Sequence, residues 1–178
     1  ISKKFFLNKK YLGITEYLTK KTNTKNSAML IYNSNFSVCP ITTHLPISKV
    51  SKNITNKKII ENILLINEFF IKKINKKPKI AVLGLNPHCE TVNKYSEEDK
   101  IIKPALKYLL KKNIKLSGLY SADTFFLKKN IIKYDVVVGM YHDQVLTPLK
   151  TLYNFNAINI TLGLPFVRIS PDHGPNEK

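Results

Sequence analysis

Val136–Val137–Val138–Gly139–Met140–Tyr141–His142–Asp143–Gln144 is the stretch whose reading decides the fold. Its β-branched, uncharged first part predicts a strand over Tyr134–Tyr141, buried on both faces like the inner strands of a parallel sheet. The apolar run breaks at a glycine and delivers Tyr, His, Asp and Gln into the following turn. In an open α/β sheet such a turn lies at the carboxyl end of its strand, where ligands bind. The stretch therefore predicts an active-site edge.

Downstream of this turn a helix is expected from about Gln144 to Leu152, and then the last clear strand over Ala157–Leu162 (AINITL). Upstream, Lys79–Leu85 (KIAVLGL) is a short buried strand that opens into Asn86–Pro87–His88. Ser27–Asn33 and Phe36–Thr42 read as two strands joined by the turn-prone Asn33–Ser34–Asn35, and the second runs into Thr43–His44–Leu45–Pro46. A helix is expected from about Asn56 to Ile74, capped by Thr55, with Ile59, Ile60, Ile63, Leu64, Ile66, Phe70, Ile71 and Ile74 on a broad apolar face. Another should start at Ser96–Glu97–Glu98–Asp99 and run to about Lys112, its acids at the positive end of the helix dipole. Thr15 is expected to cap a helix starting near Glu16. Ile114–Leu119 is a strand candidate, and Ser121–Ala122–Asp123 starts a further short helix. Strands alternating with helices predict an α/β fold with a mainly parallel sheet and helices on both faces.

The 178 residues suffice for one fair-sized core, or for a domain plus a piece of another. The chain starts at Ile1 and stops just after the loop-like Asp172–His173–Gly174, so a partial chain is expected. A formal charge of +17 invites a nucleic-acid reading. Against it, lysine is spread along the whole chain beside abundant Ile and Asn, with no basic patch interleaved with aromatics. No nucleic-acid partner is expected. Cys39 and Cys89 are too few and too far apart for a disulfide framework or a thiolate zinc site, which fits a reducing cytoplasm. No apolar run reaches the roughly twenty residues of a membrane span.

The chain has four histidines, and His44, His88 and His142 each follow a predicted strand. In a parallel sheet those turns lie along one edge. Three neutral imidazoles meeting there would make a divalent-metal site with a position open to substrate. The alternative is loop histidines with satisfied hydrogen bonds, and spacing alone leaves both open. The chain lacks G-x-S-x-G, G-x-G-x-x-G, H-E-x-x-H and Walker motifs.

Arg168 is the single arginine among 29 basic residues. Where the rest of the chain uses lysine, an arginine suggests a need for the planar fork that grips a carboxylate or phosphate in two places. A chance surface arginine is the other reading. Lys150 lies in the helix leaving the key turn, and Asn159 sits inside a predicted strand, where Asn is disfavoured. Both are candidates for the same anion site.

Taken in order, Gly84–Leu85–Asn86–Pro87–His88, Ala122–Asp123–Thr124, Met140–Tyr141–His142–Asp143–Gln144, Asn159 to Phe166, Arg168 and Asp172–His173–Gly174 resemble the 4-hydroxythreonine-4-phosphate dehydrogenase family of vitamin B6 synthesis. The resemblance spans nearly the whole chain. It implies an incomplete isocitrate/isopropylmalate dehydrogenase-like fold, with residues 1–178 forming the central to C-terminal part of a two-lobe subunit. It also implies a cytoplasmic homodimer that oxidises 4-phosphooxy-L-threonine with NAD or NADP. The β-keto acid formed would then lose carbon dioxide to give 3-amino-2-oxopropyl phosphate, on the way to pyridoxine and pyridoxal phosphate.

Carried over by position, His44, His88 and His142 match the family's ligands to a divalent metal (zinc, magnesium or cobalt), held at the dimer interface. Thr15, Lys150, Asn159 and Arg168 match positions that bind the small phosphorylated amino-acid substrate, and His173 a position near the cofactor. Two departures stand out. Ile14 replaces the histidine of a His–Thr pair, and Cys89–Glu90–Thr91 replaces the start of a glycine-rich loop. They leave a related dehydrogenase with a shifted substrate, or an inactive fragment, as alternatives beside the basic nucleic-acid binder.

Overall fold

The computed structural model describes residues 14–89 and 96–172. The expected position at His173 and the departure at Glu90–Thr91 lie outside the described residues. Seven strands form one sheet: β1 (Ala28–Tyr32), β2 (Ser37–Thr42), β3 (Ile80–Leu83), β4 (Leu116–Tyr120), β5 (Val136–Tyr141), β6 (Ile158–Leu162) and β7 (Arg168–Pro171), in the order β4-β3-β5-β2-β1-β6-β7. The pairs β2/β5, β3/β5 and β3/β4 are parallel, while β1/β2, β1/β6 and β6/β7 are antiparallel. Strands β2 to β6 thus share one direction, which makes the sheet mixed but mostly parallel.

The helices are α1 (Ile14–Lys21), α2 (Val50–Asn53), α3 (Asn56–Phe69), α4 (Lys103–Lys111), α5 (Ala122–Phe125), α6 (Lys128–Ile131) and α7 (His142–Tyr153). They cover both faces of the sheet, and β5 shows why. Val136, Val138 and Met140 pack with Ile59, Ile63 and Ile66 of α3 and with Leu109 of α4 on one side. Val137 packs with Val145, Leu146 and Leu149 of α7 on the other. Alternate side chains of a strand point to opposite faces, so an unbroken apolar run is what a strand between two helical layers requires.

Several local expectations stand. Thr55 caps α3, its Oγ1 accepting from the Lys58 N–H at 3.2 Å. Ser96 Oγ accepts from the Asp99 N–H at 3.2 Å. Thr55→Ala should cost about 1 kcal/mol, read as a lower thermal midpoint with an unchanged circular dichroism spectrum below it.

One expectation is corrected. Thr15 does not precede its helix: it lies within α1 (Ile14–Lys21), and its hydroxyl meets that of Thr161 instead. AINITL, the last clear strand of the sequence, is followed by a further strand, β7, that the sequence does not announce. Edge strands tolerate proline and half-exposed polar residues, and Arg168–Ile169–Ser170–Pro171 is short and lacks the apolar pattern that identified the others. In addition, the helix expected as far as Ile74 ends in a wide π turn over Phe70–Ile74.

Neither Cys39 nor Cys89 forms a disulfide among the described residues. Cys39 is fully buried in β2, and loss of solvation pushes its thiol up to about 12, with Lys58 pulling weakly the other way. It is a core residue and not a nucleophile. Among the described residues no helix is long and apolar enough to cross a membrane.

Candidate active site

Strands β2 and β5 are hydrogen-bonded neighbours, with Thr42 opposite Tyr141. The Thr42 hydroxyl donates to the Met140 carbonyl at 2.8 Å and ties the two strand ends together. His44, two residues past β2, and His142, one residue past β5, are therefore delivered side by side. Their ring centroids lie 5.9 Å apart at an interplanar angle of 40°. A cavity of about 300 Å³ opens over them, lined also by Thr43, Leu45, Pro46 and Tyr141. His142 Nδ1 is 2.6 Å from Asp143 Oδ1.

β3 lies on the other side of β5, and its chain continues through Gly84 into the His88 turn. His88 is exposed and adopts a left-handed backbone, φ 57°, with the turn packed against α5. Sequence reasoning placed three histidines on one edge. The structure brings His44 and His142 together, and His88 stands in its own turn. Among the described residues no three His, Cys, Asp or Glu side chains form a metal cage within one chain.

A second constellation lies on the α7 side of the sheet. In β6, Asn159 and Thr161 sit opposite Ile31 and Met29, which face α7, while Ile160 and Leu162 face α3. Arg168 of β7 sits opposite Thr161, and its Nη1 donates to Thr161 Oγ1 at 3.2 Å. The Thr15 hydroxyl lies 3.4 Å from the same oxygen. Thr15 and Arg168, far apart in the chain, thus meet on Thr161. Burial pulls the Arg168 guanidinium below its ordinary value, yet it remains a cation at any physiological pH. Asn159 Oδ1 is buried without a hydrogen-bond partner.

Lys150 extends from α7, eight residues or about 12 Å along the axis from His142. Its ammonium donates to the Asp172 carbonyl at 3.3 Å, stands 3.7 Å from Asp172 Oδ2 and lies 4.8 Å above the Phe155 ring. Asp172 and Thr161 were missed as site residues. For Thr161 a signal existed, since Asn159 and Thr161 alternate with Ile160 and Leu162 and so mark a polar face on β6. A larger hollow of about 650 Å³ lies between α3 and the β6/β7 edge, lined by Leu65, Phe69, Ile160, Leu162 and Phe166. It holds neither the histidine pair nor Arg168.

A family model described as pyridoxal phosphate biosynthetic protein PdxA matches residues 1–176. The chain belongs to the PdxA family. It is 46% identical over 166 residues to a 4-hydroxythreonine-4-phosphate dehydrogenase from a Sulfurihydrogenibium strain, covering 92% of this chain and 51% of that protein. It is 37% identical over 166 residues to a D-threonate 4-phosphate dehydrogenase from Pectobacterium atrosepticum, with the same coverage. The crystal structure of 4-hydroxythreonine-4-phosphate dehydrogenase from Klebsiella pneumoniae superposes with a TM-score of 0.81 at 36% identity, covering 93% of this chain and 51% of that one. The chain spans about half the length of the PdxA relatives it matches. That likeness agrees with the expected α/β fold of isocitrate/isopropylmalate dehydrogenase type.

Proposed function

We propose that the intact protein is a metal-dependent, NAD(P)-linked dehydrogenase that oxidises 4-phosphooxy-L-threonine at its hydroxyl-bearing carbon. The β-keto acid then loses carbon dioxide to give 3-amino-2-oxopropyl phosphate. The observation that carries this reading is the paired His44 and His142 at the strand edge, with Arg168, Thr15, Asn159 and Lys150 on the side of the sheet that α7 covers.

The donor set fits a divalent cation. His142 has a carboxylate on Nδ1, the arrangement by which outer carboxylates orient ligating imidazoles, and this leaves Nε2 to bind the ion. His44 stands beside it, and in this reading His88 completes the set across a homodimer interface. Bound together, the metal and a nicotinamide would supply a Lewis acid and a hydride acceptor. The protein's own part is to hold the substrate. Arg168 offers a planar fork for phosphate or carboxylate, steadied by Thr161; Lys150 adds a point charge, and the unpartnered Asn159 Oδ1 awaits an N–H or O–H donor. Two cysteines outside any disulfide agree with a cytoplasmic enzyme.

A second reading concerns the substrate alone. Family members by name act on either 4-hydroxythreonine 4-phosphate or D-threonate 4-phosphate, which differ in bearing an amino group or a hydroxyl beside the carboxylate. Ile14, at the start of α1 next to Thr15, removes one imidazole from that region. The test is nicotinamide reduction by the metal-loaded intact protein with each compound, before and after chelation. We expect turnover of 4-phosphooxy-L-threonine that stops on chelation and returns with metal. Faster turnover of D-threonate 4-phosphate would replace the first substrate by the second, and no reduction with either would overturn the dehydrogenase reading.

A further inference from the structure

Between the two halves of the histidine edge runs a set of hydrogen bonds to which the substrate chemistry assigns no task. Glu98 is 0% exposed, an unusual place for a carboxylate unless it is fully bonded. Its Oε1 accepts from the backbone N–H groups of Leu85 and Asn86, both at 2.8 Å, and its Oε2 accepts from Asn86 Nδ2 at 2.8 Å. Asn86 Nδ2 also donates to Glu97 Oε2 at 3.0 Å, and Glu97 in turn accepts from the Ser51 hydroxyl. Glu98 opens a wide π turn, a helical irregularity common at functional sites.

Gln144, buried in the first turn of α7, holds the same loop from the other side. Its Nε2 donates to the Gly84 carbonyl at 2.8 Å, and its Oε1 accepts from the Met140 N–H at 2.7 Å. Three consecutive residues, Gly84, Leu85 and Asn86, thus have backbone groups bonded to two buried side chains. There is no slack in this packing: a Cβ on Gly84 would lie 2.7 Å from Cys89 Sγ and 3.2 Å from Glu98 Oε1, and one on Gly139 would lie 2.9 Å from Gln144 Oε1. One residue beyond the clamped segment, after Pro87, come His88 and Cys89, both with left-handed backbones, φ 57° and 58°. Non-glycine residues keep that conformation only where their surroundings enforce it.

We propose that Glu98 and Gln144 are positioning residues that clamp the Gly84–Asn86 segment to the end of β5, and so hold the His88 turn where, in the reading above, it reaches the metal across the dimer interface. Glu98 fixes the segment from the α4 side and Gln144 fixes it to the strand that carries His142. This rests on the metal reading of the histidines given above.

The test is Co²⁺ binding to the intact protein, titrated by its visible absorption, alongside thermal unfolding. Glu98→Gln keeps the shape but turns an N–H donor toward the Asn86 amide. Glu98→Gln is expected to weaken Co²⁺ binding by roughly 10- to 100-fold and to alter the absorption of the bound ion, as loss of an outer partner does. Gln144→Met, which keeps the volume and loses both bonds, should weaken binding similarly, and it carries the comparison if Glu98→Gln does not fold. Folded variants that bind Co²⁺ with the parent's affinity and spectrum, whatever their melting temperature, would overturn the inference alone. A parent protein that binds no Co²⁺ would overturn the metal reading and this inference with it.

Discussion

His142→Ala in the intact protein is expected to lower kcat by about a thousandfold or more and to weaken divalent-metal binding. A Lewis acid contributes several kcal/mol to the transition state, and each 1.4 kcal/mol or so is a factor of ten in rate. The side chain stands where β5 ends and α7 begins, 5.9 Å from the His44 ring, with Asp143 on Nδ1. Its removal takes away the ring that the Asp143 carboxylate orients, which is the proposed metal ligand. The fold should survive, because His142 is only partly buried and the core under it is made by Val145, Leu146 and Leu149. Steady-state kinetics with metal titration checks this. Unchanged turnover would remove His142 from the ligand set.

Arg168→Lys is the second large effect. The charge is kept, but the planar fork and the bond to Thr161 Oγ1 are lost. A hydrogen bond involving a charged group contributes about 1.5–3 kcal/mol, so KM for the phosphorylated substrate should rise roughly 10- to 100-fold with kcat less affected. The substitution is informative in this chain because lysine fills every other cationic position. If a lysine served equally well at 168, the arginine would be an accident of composition, and unchanged KM would show that. Thr161→Val tests the same contact from the other side and should give a smaller rise.

Much of the framework is legible one segment at a time. The Val136–Val138 run announces a strand buried on both faces because burial on two sides leaves no polar alternation. Thr55 and Ser96 announce helix starts because a hydroxyl satisfies amide groups that the helix itself cannot. Strand β7 was illegible because an edge strand ending in proline carries neither signal. Thr15 was misjudged for a related reason: a threonine before an acid fits a cap, but tertiary contact with Thr161 uses the hydroxyl instead.

The sequence by itself determined which residues follow the strands, and hence the expectation that His44, His88 and His142 would lie along one edge of the sheet. It also marked Arg168 and Asn159 as chemically out of place. Only the tertiary structure decided their company. Strand order put β2 beside β5 and so paired two histidines, while β6/β7 register put Arg168 opposite Thr161 and folding brought Thr15 to the same oxygen. The buried Glu98 and Gln144 gave no local sign of their role, since a glutamate at a helix start and a glutamine after a turn are ordinary on a protein surface. The physical difference is range: periodicity and caps are written by neighbours a few residues apart, whereas which donor meets which acceptor depends on how distant strands are set side by side.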